Sequence, residues 1–201
     1  MKTFKALESV KTEEGNTTSI IEKSINDLPE GELLIKVSYS SLNYKDALSA
    51  SGSPGVTRNY PHTPGIDAVG IIEESSDSSF QEGDRVIVTG YDLGMNTSGG
   101  FGQYIRVPSS WAIPLPDGLE EKDSMCLGTA GLTAGLSVHA LDKHNAHNGF
   151  SGTNTIVTGS TGGVGSIAVM LLSKLGSNVT AVTGKESEKE LLLSLGASEV
   201  V

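Results

Sequence analysis

Along residues 1–120 hydrophobic and polar positions alternate in short runs separated by Gly, Pro, Ser and Asp. A period of two residues is that of a half-buried strand. Strands are predicted over Met1–Leu7 and Thr18–Ile25, with a turn around Glu14-Gly15-Asn16, and over Glu32–Ser40 after Pro29-Glu30-Gly31. Further strands are predicted over Asp67–Glu73 and Asp84–Thr89, joined by a Ser/Asp/Gly-rich loop, and over Phe101–Val107, with Trp111–Pro116 leading out. Many short strands without helices between them predict a barrel-like module. From Glu120 the texture changes. Glu120–Leu127 and Thr129–Leu141 have helical composition, and the small residues Gly128, Ala130, Gly131, Ala134 and Gly135 form a seam that permits close backbone contact. The loop Asp142–Thr153 leads into the second part of the chain. The expected domains are therefore 1–120 and 121–201.

That second part is organised around one stretch. The β-branched run Thr155-Ile156-Val157-Thr158 breaks into Gly159-Ser160-Thr161-Gly162-Gly163-Val164-Gly165, and this into the helix-like run Ser166–Leu172. Strand, tight turn and helix start are the opening of a dinucleotide-binding βαβ unit. Gly163, Gly165 and Ala168 give the G-x-G-x-x-A spacing. The first glycine is expected to take a backbone conformation closed to other residues, and the second to let a pyrophosphate approach. Ala168 lets helix and strand pack tightly. The N–H groups and positive dipole of the helix start would receive phosphates, which makes Ser160, Thr161, Gly162, Gly163, Val164 and Gly165 the candidate cofactor loop. A plain strand-to-helix turn is the alternative for the spacing alone. Context favours the nucleotide: Asn178–Val182 is a second strand at crossover distance, and it ends in Thr183-Gly184-Lys185. An NAD-binding strand usually ends in an acid that accepts from the ribose 2′-hydroxyl. Hydroxyl and small residues followed by a cation accommodate a 2′-phosphate instead, and Glu186 reads as the start of the next helix. The cofactor expected is NADPH.

Composition narrows the classes. The 201 residues suit one large or two small domains, and a net charge of −10 argues against nucleic-acid or anionic-membrane partners. The single cysteine, Cys126, excludes an internal disulfide and any multi-cysteine zinc site; its apolar surroundings predict a buried core thiol. No apolar run approaches a membrane span and the N-terminus lacks a signal-peptide core, so a soluble, cytoplasmic chain is expected. His144 and His147 have metal-compatible spacing but lie in an Asn/Gly-rich stretch that reads as a solvated loop. His62 is expected in a loop beside a cleft, and His139 in a core or interface. No metal site is predicted.

Taken in order, Ser41-Leu42-Asn43-Tyr44-Lys45-Asp46, Pro64-Gly65-Ile66-Asp67, Gly99-Gly100-Phe101-Gly102-Gln103-Tyr104, Gly128-Thr129-Ala130-Gly131-Leu132-Thr133-Ala134, the glycine loop and Leu195-Gly196-Ala197-Ser198 resemble the medium-chain dehydrogenase/reductase superfamily. The resemblance is to its zinc-free quinone oxidoreductase-like branch, and within it to the YhdH/YhfP-type acrylyl-CoA reductases. It implies an α/β chain in which an N-terminal GroES-like β-barrel domain precedes a Rossmann dinucleotide-binding domain. Zinc alcohol dehydrogenases carry a cysteine where this chain has Asn43, and Gly-His-Glu where it has Gly65-Ile66-Asp67. Without thiolate or imidazole at those places alcohol oxidation is disfavoured, whereas a conjugated carbonyl already makes carbon a hydride acceptor.

The resemblance makes Asn43, Tyr44, Asp46 and Asp67 the candidate catalytic residues. Tyr44 is expected at the nicotinamide end of NADPH, contacting it or donating a proton to the product carbanion, with Lys45 beside it to favour the phenolate. The alternative is a half-buried aromatic covering a turn. Asn43 and Asp46 read equally as caps of a helix beginning at Tyr44, and Asp67 as a group satisfying local backbone donors. Thr129 is expected to face the nicotinamide, or else to belong to the packing seam. A dinucleotide domain of this type needs about six parallel strands, and the chain stops at Glu199-Val200-Val201 as a third begins. The domain is therefore expected to be incomplete and the chain unstable or prone to associate, and the resemblance implies that the full-length protein is a homodimer. The functions carried forward are an NADPH-dependent reductase of small enoyl thioesters, an NADPH quinone reductase, and a non-catalytic nucleotide-binding fragment.

Overall fold

The computed structural model describes residues 2–145 and 148–201. The chain divides into two compact units, Met1–Thr129 and Ala130–Val201.

In the first unit the period-two pattern becomes seven strands: β1 (Thr3–Thr12), β2 (Gly15–Ser24), β3 (Leu33–Tyr39), β4 (Asp67–Ser75), β5 (Arg85–Thr89), β6 (Tyr104–Val107) and β7 (Ala112–Pro114). β3 to β7 form an antiparallel sheet in the order β6-β3-β4-β5-β7, and β1 and β2 pair as a long hairpin from Thr3↔Ser24 to Thr12↔Gly15. Isolated bridges Ala6↔Gly102 and Ser9↔His62 tie the hairpin to the rest of the unit. Alternation sorts the side chains: Leu33, Ile35, Ile105 and Val107 enter one core with Ala68, Ile72, Val86, Val88 and Leu93. Leu34 and Tyr104 point the other way and pack with Phe4, Ala6, Ile25 and Leu28. Full burial of each such aliphatic side chain is worth about 1.5–3 kcal/mol.

Between β3 and β4 runs the short helix α1 (Tyr44–Ala50), whose buried residues are Asp46 and Ser49. Ser49 is fixed to Thr57 (2.6 Å) and its carbonyl accepts from the Tyr60 hydroxyl (2.6 Å), while the Ser9 hydroxyl donates to the carbonyl of Ala50 (2.7 Å). A polar network, not an apolar face, holds this helix down.

Helix α2 (Glu121–His144) is broken at Gly128, where φ is 48° and ψ −151°. The expected separation of Glu120–Leu127 from Thr129–Leu141 is thus present, but the second part runs on to His144, which is helical and exposed instead of in a loop. His147 lies outside the described residues. By length and composition α2 is apolar enough to cross a membrane, contrary to expectation: its Leu, Val, Met, Cys and Ala residues raise the mean hydropathy although Gly, Thr and Ser interrupt the apolar run. Cys126 is exposed, not a core thiol, because the first segment of α2 turns Ser124 and Met125 inward. His139 is also exposed, whereas its neighbour Val138 is buried.

The second unit contains β8 (Asn154–Thr158), α3 (Gly163–Lys174), β9 (Asn178–Val182), α4 (Lys189–Ser194) and β10 (Glu199–Val200). The strands are parallel, in the order β10-β9-β8. This is the beginning of a doubly wound sheet, with Val157, Val169, Leu172, Val179, Ala181 and Leu192 in its core.

Candidate functional site

In the first unit the predicted residues gather around one carboxylate. Asp67 opens β4 and is fully buried. Its Oδ2 accepts from the side-chain amide of Asn43 (3.0 Å), from the backbone N–H of Thr129 (2.9 Å) and from the Ser41 hydroxyl. Its Oδ1 accepts from the Thr129 hydroxyl (2.6 Å). The expectation that Asp67 serves local backbone donors is thus replaced by a wider role. Three of its four donors come from side chains, and Thr129 lies 62 residues along the chain.

Asn43 meets a second buried carboxylate. Its backbone N–H donates to Asp46 Oδ2 (2.7 Å), while Asp46 Oδ1 accepts from the Ile66 N–H (2.9 Å). Asn43 also donates from its side chain to Ser41 Oγ (2.8 Å). Asp46 thus supplies the returning arm of a capping box, as the helix-cap reading anticipated. Desolvation raises the Asp46 pKa above the ordinary carboxylate value, opposed by the N–H groups of Asn43 and Ile66.

Tyr44, the next residue, is 80% exposed, so the alternative of a half-buried aromatic does not describe it. Asn43, the residue before it, is held by Asp46 and Asp67 while the Tyr44 ring projects outward. Sequence reasoning named Ser41 only as the first residue of the segment Ser41–Asp46 and gave it no role. It placed Gly128 in the small-residue seam and in the segment Gly128–Ala134, without a contact to Asp67. Gly128 adopts a positive φ, and a Cβ there would lie 2.6 Å from Asp67 Oδ2; a side chain at this position would push Asp67 off its donors.

The second unit carries the glycine loop. Gly159, with φ +62°, makes the turn out of β8, so the left-handed conformation expected of Gly163 occurs four residues earlier. Gly165 is buried, and a Cβ on it would lie 2.3 Å from the Gly159 carbonyl oxygen. Its absent side chain therefore serves packing of α3 on the loop. Gly162 is the N-cap of α3, with no side chain capping the helix, and Gly162, Gly163 and Val164 are exposed. Ser160 is fully buried. Its hydroxyl donates to the Val157 carbonyl (2.7 Å) and accepts from the Val182 N–H (3.1 Å), stitching the loop to the end of β9. Thr161 is partly buried beside it. Just past β9, Thr183 Oγ1 accepts from the N–H of the exposed Lys185 (3.1 Å), with exposed Gly184 between them.

His62 is buried, not in an open loop, and pairs with Ser9 through the backbone. Among the described residues no group of three or more His, Cys, Asp or Glu side chains could hold a metal ion.

A family model for the alcohol dehydrogenase GroES-like domain matches residues 29–117. The chain is 44% identical over 200 residues to acrylyl-CoA reductase AcuI of Ruegeria pomeroyi, covering 98% of this chain and 60% of the relative. It is 45% identical to the putative quinone oxidoreductase YhfP of Bacillus subtilis, covering 98% and 59%. Over nearly its whole length the chain resembles the YhdH/YhfP-type branch of the medium-chain dehydrogenase/reductase superfamily. Among solved members of the superfamily, YhdH of Salmonella enterica in complex with NADP superposes with a TM-score of 0.93 at 40% identity, covering 98% of this chain and 60% of that one. Bacillus subtilis YhfP with NAD bound superposes at 0.92 and 45% identity, covering 100% and 60%. The chain thus spans about three-fifths of the length of these medium-chain dehydrogenase/reductase relatives. Where the zinc-dependent members carry a cysteine and a glutamate, Asn43 and Asp67 are joined by a direct hydrogen bond.

Proposed function

We propose that the chain is the N-terminal catalytic and cofactor-binding part of a zinc-independent, NADPH-dependent reductase that saturates the activated double bond of a small enoyl thioester, as acrylyl-CoA reductases do. The observation that carries the reading is the α3 N-terminus: glycine loop, no side-chain cap, and exposed Gly162, Gly163 and Val164. The first N–H groups of a helix have no partner within it and attract an anion, so these residues and Thr161 fit the pyrophosphate. Ser160 acts indirectly, by fixing the loop. Thr183, Gly184 and Lys185 offer a hydroxyl, an unobstructed backbone and a cation to a 2′-phosphate. Domains of 1–120 and 121–201 go with this reading.

When bound, NADPH supplies a hydride. The chain's own residues do the rest. Thr129 and Tyr44 attend the nicotinamide end, and Tyr44 Oη delivers a proton to the carbanion left after reduction. Asn43, Asp46 and Asp67 hold them in place. A soluble, cytoplasmic homodimer with no nucleic-acid or membrane partner completes the proposal; the net charge of −10 suits it. The name of YhfP supports a second reading with the same cofactor and a quinone as acceptor.

Fluorescence titration with NADPH and NADH tests the cofactor. NADPH is expected to bind at least about tenfold tighter, and Lys185→Ala to erase most of that preference. Equal binding of both nucleotides would overturn the 2′-phosphate assignment. Consumption of NADPH with acryloyl-CoA but not with a quinone separates the two substrates, and binding without turnover of either supports a nucleotide-binding fragment.

A further inference from the structure

We infer that Asp67 is a positioning residue whose buried carboxylate clamps two distant segments, Ser41–Asn43 and Gly128–Thr129, and so sets where Tyr44 and Thr129 stand relative to each other. The inference deepens the reductase reading and rests on it for its catalytic consequence, though not for the clamp itself.

The geometry carries it in three steps. First, among the described residues the groups that hydrogen-bond the Asp67 carboxyl oxygens are donors: the Ser41 hydroxyl, the Asn43 amide, and both the N–H and the hydroxyl of Thr129. A fully buried carboxyl that only accepts behaves as a carboxylate solvated by the protein. Charge-assisted hydrogen bonds of this kind are about twice as strong as neutral ones and sensitive to geometry. With its oxygens occupied in this way, Asp67 is a poor shuttle for a substrate proton.

Second, the donors belong to segments far apart in the sequence. Ser41 and Asn43 lead from β3 into α1, and Thr129 follows the break in α2. The break itself is shaped by the clamp. Positive φ at Gly128 turns the Thr129 N–H to Asp67, and there is no room for a Cβ between them.

Third, the clamp is coupled to Tyr44 through the backbone. Asn43 is held by its side chain to Asp67 and by its N–H to Asp46 Oδ2, so the residue before Tyr44 has little freedom although the Tyr44 ring is exposed. Loosening Asp67 should therefore move both ends together.

The test compares Asp67→Asn and Ser41→Ala with the parent protein. Asn keeps the size of Asp67 but offers one acceptor oxygen; Ser41→Ala deletes one donor and should fold if Asp67→Asn does not. In the protein without nucleotide, amide hydrogen exchange over residues 41–44 and 128–130 is expected to accelerate together by about tenfold or more in Asp67→Asn, and by less in Ser41→Ala, while Ile35 and Ile105 stay protected. In turnover, kcat is expected to fall about tenfold or more at a KM for NADPH changed by less than about threefold, with the pH profile lowered but unaltered in shape. Loosening of only one segment, in whichever variant folds, would overturn the clamp. So would a kcat that falls only as the folded fraction falls. Loss of one limb of the pH profile would make Asp67 an acid or base instead. If the parent protein binds no NADPH and reduces nothing, the reductase reading fails, and the exchange measurement still decides the clamp.

Discussion

At the scale of single residues, the site divides into groups that are held and one that is offered. Asn43, Asp46 and Asp67 spend their polar atoms on one another, on the Ser41 and Thr129 hydroxyls and on the backbone, whereas Tyr44 projects outward, 80% exposed. If Tyr44 is the proton donor, Tyr44→Phe should lower kcat by about a hundredfold or more, the range for loss of a positioned acid, with NADPH affinity nearly unchanged. A parallel loss of affinity would mean that Tyr44 chiefly binds the cofactor. A different residue bears on how stability responds to pH near neutrality. His62 is buried with its Nε2 unpartnered. Burial lowers its pKa below the ordinary value, a hydrogen bond with the Gly94 backbone and the charge of Asp92 oppose that, and the charge of Lys23 reinforces it. The folded state thus resists a proton that the unfolded state accepts near pH 6.5. Stability should be intact above that value and fall as pH drops through it toward the lowered folded pKa. Denaturant unfolding between about pH 7.5 and 5.5 should show a decline that His62→Gln flattens; equal slopes would remove His62 as the cause.

At the scale of elements, the glycine loop depends on close approach. A methyl at Gly165 meets the Gly159 carbonyl oxygen at 2.3 Å, so α3 must shift away from the loop that it caps. Gly165→Ala is expected to weaken NADPH binding by about tenfold or more and to cost about 1–3 kcal/mol of stability, the usual range for overpacking. Titration and denaturant melts read the two effects, and unchanged affinity would mean that the loop tolerates the shift. The strands around this loop were legible because β-branched runs next to glycine leave few other readings. Asn178–Val182 is β9 as expected, and Tyr44 does open a helix. Less legible was β1, which continues to Thr12. There the buried position is Ser9, held by Ala50 and Asn16, and a polar core residue leaves no trace in a hydrophobic pattern. The clamp was hidden for a related reason: Asp67 and Thr129 were each noticed, but a 62-residue separation carries no periodic signal to join them. Cys126 misled because a short helix with apolar residues on several sides does not reveal which side is covered.

At the scale of the whole chain, the apolar surface is unevenly covered. Leu132 and Leu136, four residues apart and so on one side of α2, are 50% and 60% exposed, and Ile156 on the edge strand β8 is 69% exposed. Leu175 and Leu191 are about half exposed as well. By contrast, the strands of the first unit contribute Leu33, Ile35, Val86 and Ile105 to a core from which water is excluded. An exposed edge strand beside uncovered leucines invites pairing with another chain. The 201-residue chain is therefore expected to associate, and its melting temperature to depend on concentration, since binding that favours the folded state raises apparent stability by mass action. Sedimentation and circular dichroism melts over about a hundredfold range of concentration test this. A rise in melting temperature with concentration, together with a growing fraction of dimer or larger species, is the expected result. A single sharp transition at one temperature throughout, with a monomer at every concentration, would mean that the leucines of α2 and Ile156 tolerate water. The second unit would then be held by the Val157, Val169, Val179 and Leu192 core alone.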